Sequence, residues 1–173
     1  LVPVGGCVRD DRPRPRLGLD VLARMPAAFA PGGTVTAGNS CGINDGAAAV
    51  AVVPEAVRAA AGAPGLRLLA TAAVGVDPAL PGLGPVPAIR AVLGRASVPL
   101  HRIDVVEITE AFAAQVLACT DALALDPLGS DAARVCPDGG AIGLGHPWGA
   151  SGALLVVRLF SRLVRRRLGR YGV

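Results

Sequence analysis

Lysine is absent from this 173-residue chain and aromatic residues are scarce, with one Trp, one Tyr and three Phe. All 17 basic residues are therefore arginine, a bias read as coding-sequence composition rather than chemistry. With so few rings there is no platform on which bases could stack, which argues against a nucleic-acid surface despite the formal charge of +4. The arginines fall in two clusters. Arg9, Arg12, Arg14 and Arg16 alternate with Asp10, Asp11, Pro13 and Pro15. Arg162, Arg165, Arg166, Arg167 and Arg170 close an amphipathic segment, where cations complement a helix dipole. Both read as solvated or salt-bridged, and the first is also placed to meet the phosphates of a nucleotide-bearing ligand.

Paired metal-ligand spacing is missing too. Cys7, Cys41, Cys119 and Cys136 form no C-x-x-C, and the two histidines complete no recognisable metal site. The start has no basic region leading into a hydrophobic run, and no apolar stretch reaches spanning length. No metal, no membrane and a reducing, cytoplasmic setting are expected. The chain begins at Leu1 rather than Met and stops at Tyr171-Gly172-Val173, which reads as a strand just starting. Both ends look cut.

What is present is a small-residue core: 52% of residues are apolar, mostly Ala, Val, Leu and Ile. Residues 1–42 are loop-rich, with one short helix expected over 19–24. The run Ala47-Ala48-Ala49-Val50-Ala51-Val52-Val53 reads as a buried strand, followed by a helix opened by Pro54-Glu55 and reaching Ala61. A second strand is expected over 66–75, a helix over 88–93, a third strand over 103–108 and a helix over 110–125. That last helix repeats Phe112, Val116, Leu117 and Leu123 at helical spacing. An extended piece near Val135 precedes a helix over 151–168. Alternating strands and helices imply an α/β layered domain with a largely parallel sheet.

Three motifs sit where such a sheet places functional loops. Thr36-Ala37-Gly38-Asn39-Ser40-Cys41-Gly42-Ile43-Asn44-Asp45-Gly46 suits close backbone contact with a ligand. Thr109-Glu110-Ala111-Phe112-Ala113-Ala114-Gln115 joins the third strand to its helix. Gly139-Gly140-Ala141-Ile142-Gly143-Leu144-Gly145-His146-Pro147-Trp148-Gly149-Ala150-Ser151-Gly152 holds His146 on a rigid, irregular loop, because Pro147 disfavours helix at the residue before it. Such a loop is a place for a catalytic imidazole.

In this order and spacing the three motifs resemble the thiolase family of acyl-coenzyme A acyltransferases. Pro26-Ala27-Ala28-Phe29, Ala73-Val74-Gly75-Val76-Asp77-Pro78 and Gly84-Pro85-Val86-Pro87-Ala88 add to the match. The resemblance implies a layered α/β fold with a mixed sheet and flanking helices, of which this chain carries the later part. Residues 1–42 would end a loop domain, 43–62 would supply the last strand and helix of the N-terminal half, and 63–173 would form a C-terminal half lacking its last strands.

By the same resemblance His146 activates a nucleophilic thiolate and helps hold the thioester oxygen. Thr109 stands where the family usually has the asparagine that positions an oxyanion-hole water, and its hydroxyl can still hold one. Phe29, Ala37, Ser40, Cys41, Gly42, Ala111 and Phe112 would line the coenzyme A site. Cys41 takes the place of a usual serine there and is not expected to be the nucleophile, since a loop thiol needs an activating neighbour and the resemblance puts this position on the ligand side rather than at the acylation point. Cys136 and Asp138 replace usual asparagines, and Gly143 a usual alanine or serine. Cys7, Cys119 and Cys136 read as ordinary thiols, and His101 as an exposed, inert loop residue. The family's nucleophilic and proton-shuttling cysteines lie in neither of these motifs nor elsewhere in the chain, so the 173-residue piece alone is expected to be inactive. The activity implied is thiolysis of a 3-ketoacyl-CoA or Claisen condensation of acyl-CoA units. Coenzyme A would be substrate rather than cofactor, and a homodimer, dimer of dimers or hetero-complex the expected assembly. A non-catalytic acyl-CoA-binding or partner subunit of the same fold is the alternative, with Thr109 the residue that favours it.

Overall fold

The computed structural model describes residues 2–173; Leu1, the first residue of the expected loop-domain segment, lies outside them. Six α-helices lie along the described chain: α1 (Leu19–Leu22), α2 (Glu55–Ala60), α3 (Pro85–Ala96), α4 (Ala113–Ala122), α5 (Ala141–Leu144) and α6 (Trp148–Phe160). A π-helical turn, Ser161–Arg165, continues α6.

The centre of the molecule is the run 103–108. It is paired on both sides by parallel bridges, Val105 with Gly172 and Val106 with Val135. Main-chain bonds run from Glu107 N to Val173 O (2.8 Å) and from Val173 N to Val105 O (2.9 Å) on one edge. On the other they run from Val106 N to Arg134 O (2.7 Å) and from Cys136 N to Val106 O (2.9 Å). A strand flanked on both edges and covered on both faces favours apolar side chains, and Ile103, Val105, Val106 and Ile108 are buried, while Asp104 is exposed at its start and Glu107 is buried with a basic partner. Its side chains alternate between faces. Val106 and Ile108 join Val86 and Ile89 of α3 and Cys119 of α4 in one buried cluster. Glu107, on the opposite face, meets Arg158 of α6, and the backbone of Gly172 lies against Leu159 and Leu163. Helices therefore cover both faces of a short parallel sheet.

Several sequence expectations need correction. Residues 44–53 are not a buried strand: they make no ladder, and Val52 is 87% exposed. Residues 66–75 likewise make no β-bridge among the described residues, although Thr71 O accepts from Arg95, and Leu68 is 73% exposed. Neither run carries the main-chain ladder that a strand needs to satisfy its backbone. Helix α3 begins at Pro85, not Ala88. Pro85 and Pro87 both lie in the first turn, where a missing N–H costs no intrahelical bond, so these prolines start the helix. Helix α4 begins three residues later than expected, because Phe112 is extended and bridged to Ser40. Leu117 on α4 is exposed rather than core, the buried face being Cys119, Thr120 and Leu123. Helix α6 starts immediately after Pro147 and gives way to the π turn before Leu168. The one-turn α5 had no expectation.

Candidate active site

The three glycine-rich or polar motifs meet at the C-terminal end of the central strand. The loop 36–42 is rigid by its own hydrogen bonds. Thr36 N donates to Asn39 Oδ1 (2.8 Å), Ser40 Oγ to Thr36 O (2.6 Å), and Asn39 Nδ2 to Thr34 O (2.8 Å). Arg14 clamps it from outside, donating to the carbonyls of Ala37 (3.3 Å) and Gly38 (3.2 Å). That use of Arg14 is main-chain support rather than the phosphate contact open to its cluster.

This loop is stitched to the second motif. Cys41 N donates to Ala111 O (3.0 Å), Ala113 N donates to Asn39 O (2.9 Å), and Ser40 bridges Phe112 antiparallel. The Phe112 ring meets Phe29 edge-on at 5.9 Å between centroids. Phe29 is 74% exposed, an apolar ring in the open beside small-residue backbone. The Cys41 thiol is pushed up by burial, opposed in part by its backbone hydrogen bond and by Arg12. A thiol raised in this way is a weaker source of thiolate.

The third motif closes the arrangement. His146 N donates to Gly42 O (2.8 Å) and bridges Ile43 in parallel. Gly145, at φ +99°, brings the chain in beside Asn44, whose side chain would sit 2.5 Å from any Cβ there. Only glycine meets both demands. The imidazole is fixed on two sides: Nδ1 lies 2.6 Å from the buried Ser151 Oγ on the first turn of α6, and the ring stacks on Trp148 at 5.8 Å. Ser151 occupies Nδ1 and leaves Nε2 as the nitrogen that can serve a reacting group.

Thr109 lies at the strand end, half-buried, and its hydroxyl bonds to no protein group among the described residues. It remains available to a ligand or water. Next to it, Glu110 accepts from Ile142 N (3.1 Å) in the first turn of α5 and so ties the second motif to the third. Every sequence-predicted site residue thus lies on these loops or, for Phe29, against them.

Sequence reasoning missed the support beneath. Glu107, two residues before Thr109, has a side chain 1% exposed and is bound by Arg158 Nε at 2.7 Å. Burial raises its pKa, and the Arg158 bond opposes the rise. The same guanidinium donates to Gly139 O at the head of the histidine loop, while Asp138 pairs with Arg162 (2.9 Å) and Arg166 (3.0 Å). The available signal was a lone glutamate in an apolar strand, which only a basic partner makes tolerable.

Residues 63–173 match the family described as thiolase, C-terminal domain, and residues 5–56 the one described as thiolase, N-terminal domain. The chain is 48% identical over 165 residues to the 3-oxoadipyl-CoA/3-oxo-5,6-dehydrosuberyl-CoA thiolase of Escherichia coli K12, covering 95% of this chain and 40% of that protein. It is 47% identical over 155 residues to the beta-ketoadipyl-CoA thiolase of Acinetobacter baylyi, covering 89% and 38%. Among solved structures, the Bacillus anthracis acetyl-CoA acetyltransferase superposes with a TM-score of 0.84 at 38% identity, covering 95% of this chain and 40% of that one. Human mitochondrial 3-ketoacyl-CoA thiolase in complex with CoA superposes at 0.78 with 34% identity, covering 94% and 40%.

Proposed function

The chain belongs to the thiolase family, whose layered α/β fold it shares, and we propose that the whole protein is an acyl-CoA C-acyltransferase cleaving a 3-ketoacyl-CoA with coenzyme A or running the reverse condensation. The observation that carries this reading is the seating of His146: its backbone is bonded to Gly42 of the ligand loop and its Nδ1 to Ser151. Nε2 is thereby aimed by two independent restraints.

The chemistry needs that group. In thiolysis a thiolate adds to the 3-keto carbon, the carbon–carbon bond breaks, and its electrons pass into the enolate of the departing acyl-CoA. Charge grows on the thioester oxygen, and the α-carbon must take a proton. The imidazole supplies a donor for that oxygen, and a water held by the free Thr109 hydroxyl supplies a second. By family resemblance, cysteines outside this chain are the nucleophile and the proton carrier. Phe29, Ala37, Ser40, Cys41, Gly42, Ala111 and Phe112 would take the pantetheine arm, with the exposed Phe29 ring as its apolar wall. Coenzyme A is a substrate here, so no resident cofactor is required.

On the same reading residues 1–42 close a loop domain, 43–62 complete the N-terminal half and 63–173 make most of the C-terminal half; the family matches ending at 56 and resuming at 63 support only the boundary between the two halves. The exposed runs near Val52 and Leu68 are then surfaces covered by the remainder of the protein, in a homodimer or dimer of dimers. Four free cysteines suit a reducing compartment such as the cytoplasm. Among the described residues, no helix is long and apolar enough to cross a membrane.

The test is steady-state thiolysis by the whole protein beside acyl-CoA affinity. His146→Ala should lower kcat by about 10² to 10⁴ with little change in affinity. An inactive wild type that still binds acyl-CoA would leave the binding-subunit reading in its place, and near-normal turnover in the variant would reduce His146 to a turn residue.

A further inference from the structure

At the other end of the central strand from Thr109 lies an open surface groove of about 400 Å³ lined by His101, Arg102, Asp104, Arg167, Arg170 and Tyr171. At roughly 3.3 Å of rise per residue, Asp104 and Thr109 are about 16 Å apart along the strand, so this groove is no part of the loops around His146. We propose that it binds a small molecule carrying two adjacent phosphate groups, a site independent of the proposed acyl transfer.

Uncommitted charge is the first argument. Asp138 neutralises Arg162 and Arg166 on the same stretch of chain. None of the ion pairs among the described residues includes Arg102, Arg167 or Arg170. The one carboxylate in the groove is already engaged: Asp104 Oδ2 accepts from Arg170 N (2.7 Å) and Tyr171 N (3.0 Å). Those two N–H bonds, with smaller help from Arg102 and Arg134, hold Asp104 below the usual carboxylate range, so its charge is satisfied mainly by the main chain. Three cations are left facing a shared space.

The backbone is the second argument. After the π turn, Arg167 sits at φ +54°, in the left-handed region that a bulky side chain seldom occupies. Gly169 follows at φ +140° with its α-carbon against Asp104, where a Cβ would come within 2.4 Å of the carboxylate's own Cβ. This reversal delivers Arg167 and Arg170 to the same groove that Arg102 enters from the turn Leu100–Arg102.

Size and shape select the ligand. Guanidinium forks match phosphate oxygens in pairs, and a space of about 400 Å³ bordered by three of them is larger than one phosphate fills. The Tyr171 ring, packed against the core cluster and covered by Arg170 at 5.2 Å, borders this space. A diphosphate, free or carried on a nucleoside, has the charge and reach required.

The experiment is calorimetric titration of the intact chain with inorganic pyrophosphate, orthophosphate and ADP. Pyrophosphate should bind one saturable site, at least about tenfold more tightly than orthophosphate. The Arg167→Ala/Arg170→Ala pair should weaken it by about tenfold or more, and Arg167→Lys/Arg170→Lys by less, since charge survives without the fork. Arg165→Ala should change nothing, because Arg165 lies over Phe160 and outside the groove. ADP tighter than pyrophosphate identifies a nucleotide source, and ADP weaker identifies the free anion. No saturable pyrophosphate binding, equal affinity for orthophosphate, or equal loss in Arg165→Ala would overturn the assignment. All of these residues are on the surface, and an unchanged circular dichroism spectrum separates lost binding from lost fold.

Discussion

Residues 47–53 are wholly apolar and 103–108 mostly so, with Asp104 and Glu107 the exceptions, and the two short runs end in opposite conditions. The first has no backbone partner and leaves Val50, Val52 and Val53 open. The second is bridged on both edges, and its Val105 and Val106 are fully buried. Apolar content is shared; neighbours are not. A strand is a relation between segments, so the same local pattern yields core in one place and open surface in the other. The functional loops follow the enclosed run, since the site is built on its C-terminal end.

The sharpest way to break this contrast is to remove what holds Glu107. Arg158→Leu should cost roughly 3 kcal/mol or more by leaving a buried carboxylate unpaired. Chemical denaturation would measure it, and a loss no larger than a surface change would mean that Glu107 is solvated. Raised by burial, Glu107 favours the folded state most below the ordinary carboxylate range. That contribution is lost as pH rises through its elevated folded pKa, and Glu107→Gln should remove this part of the pH dependence.

A second substitution sits at the same strand end. Thr109→Val in the whole protein keeps the shape and deletes the hydroxyl, which should cost roughly 3 kcal/mol of transition-state stabilisation, while Thr109→Asn should hold or raise turnover. Unchanged kcat in Thr109→Val would end the water-holding role.

The direct comparison is Val106→Ala against Val52→Ala. The first should destabilise the chain by about 1 to 2 kcal/mol and the second by under about 0.5. Equal effects would show that the open run is packed in solution. The smallest effect is kinetic access to thiols. The Cys136 thiol is pushed up to about 12 by burial, whereas Cys7 is exposed. Iodoacetamide at neutral pH should therefore label Cys7 and spare Cys136 in the native chain, and simultaneous labelling would mean that the core around Val135 opens readily.

Much of this was legible in the residues. Gly145 and Pro147 announced a fixed histidine loop, and the apolar run 103–108 announced a central strand. The extended conformation of Phe112 was not, because nothing local distinguishes a helix start from a segment held out by Ser40. Partners for 44–53 and 66–75 were equally invisible, since alternation and β-branching report suitability for pairing and not its occurrence. The Glu107–Arg158 pair joins two elements far apart in the chain, and a single sequence carries no signal for which arginine will arrive.

The bond from His146 N to Gly42 O bears on how the molecule comes together in time. Helices α3 and α4 need only local contacts, whereas this bond, the Ser40–Phe112 bridge and the Val105–Gly172 bridge each close a long loop of chain before any return is gained. Assembly should therefore proceed from the helices to the central sheet and reach the imidazole last. In unfolding the order reverses: the seating of His146 should be lost while the helical signal persists, so a probe of the histidine loop should report melting earlier than circular dichroism does.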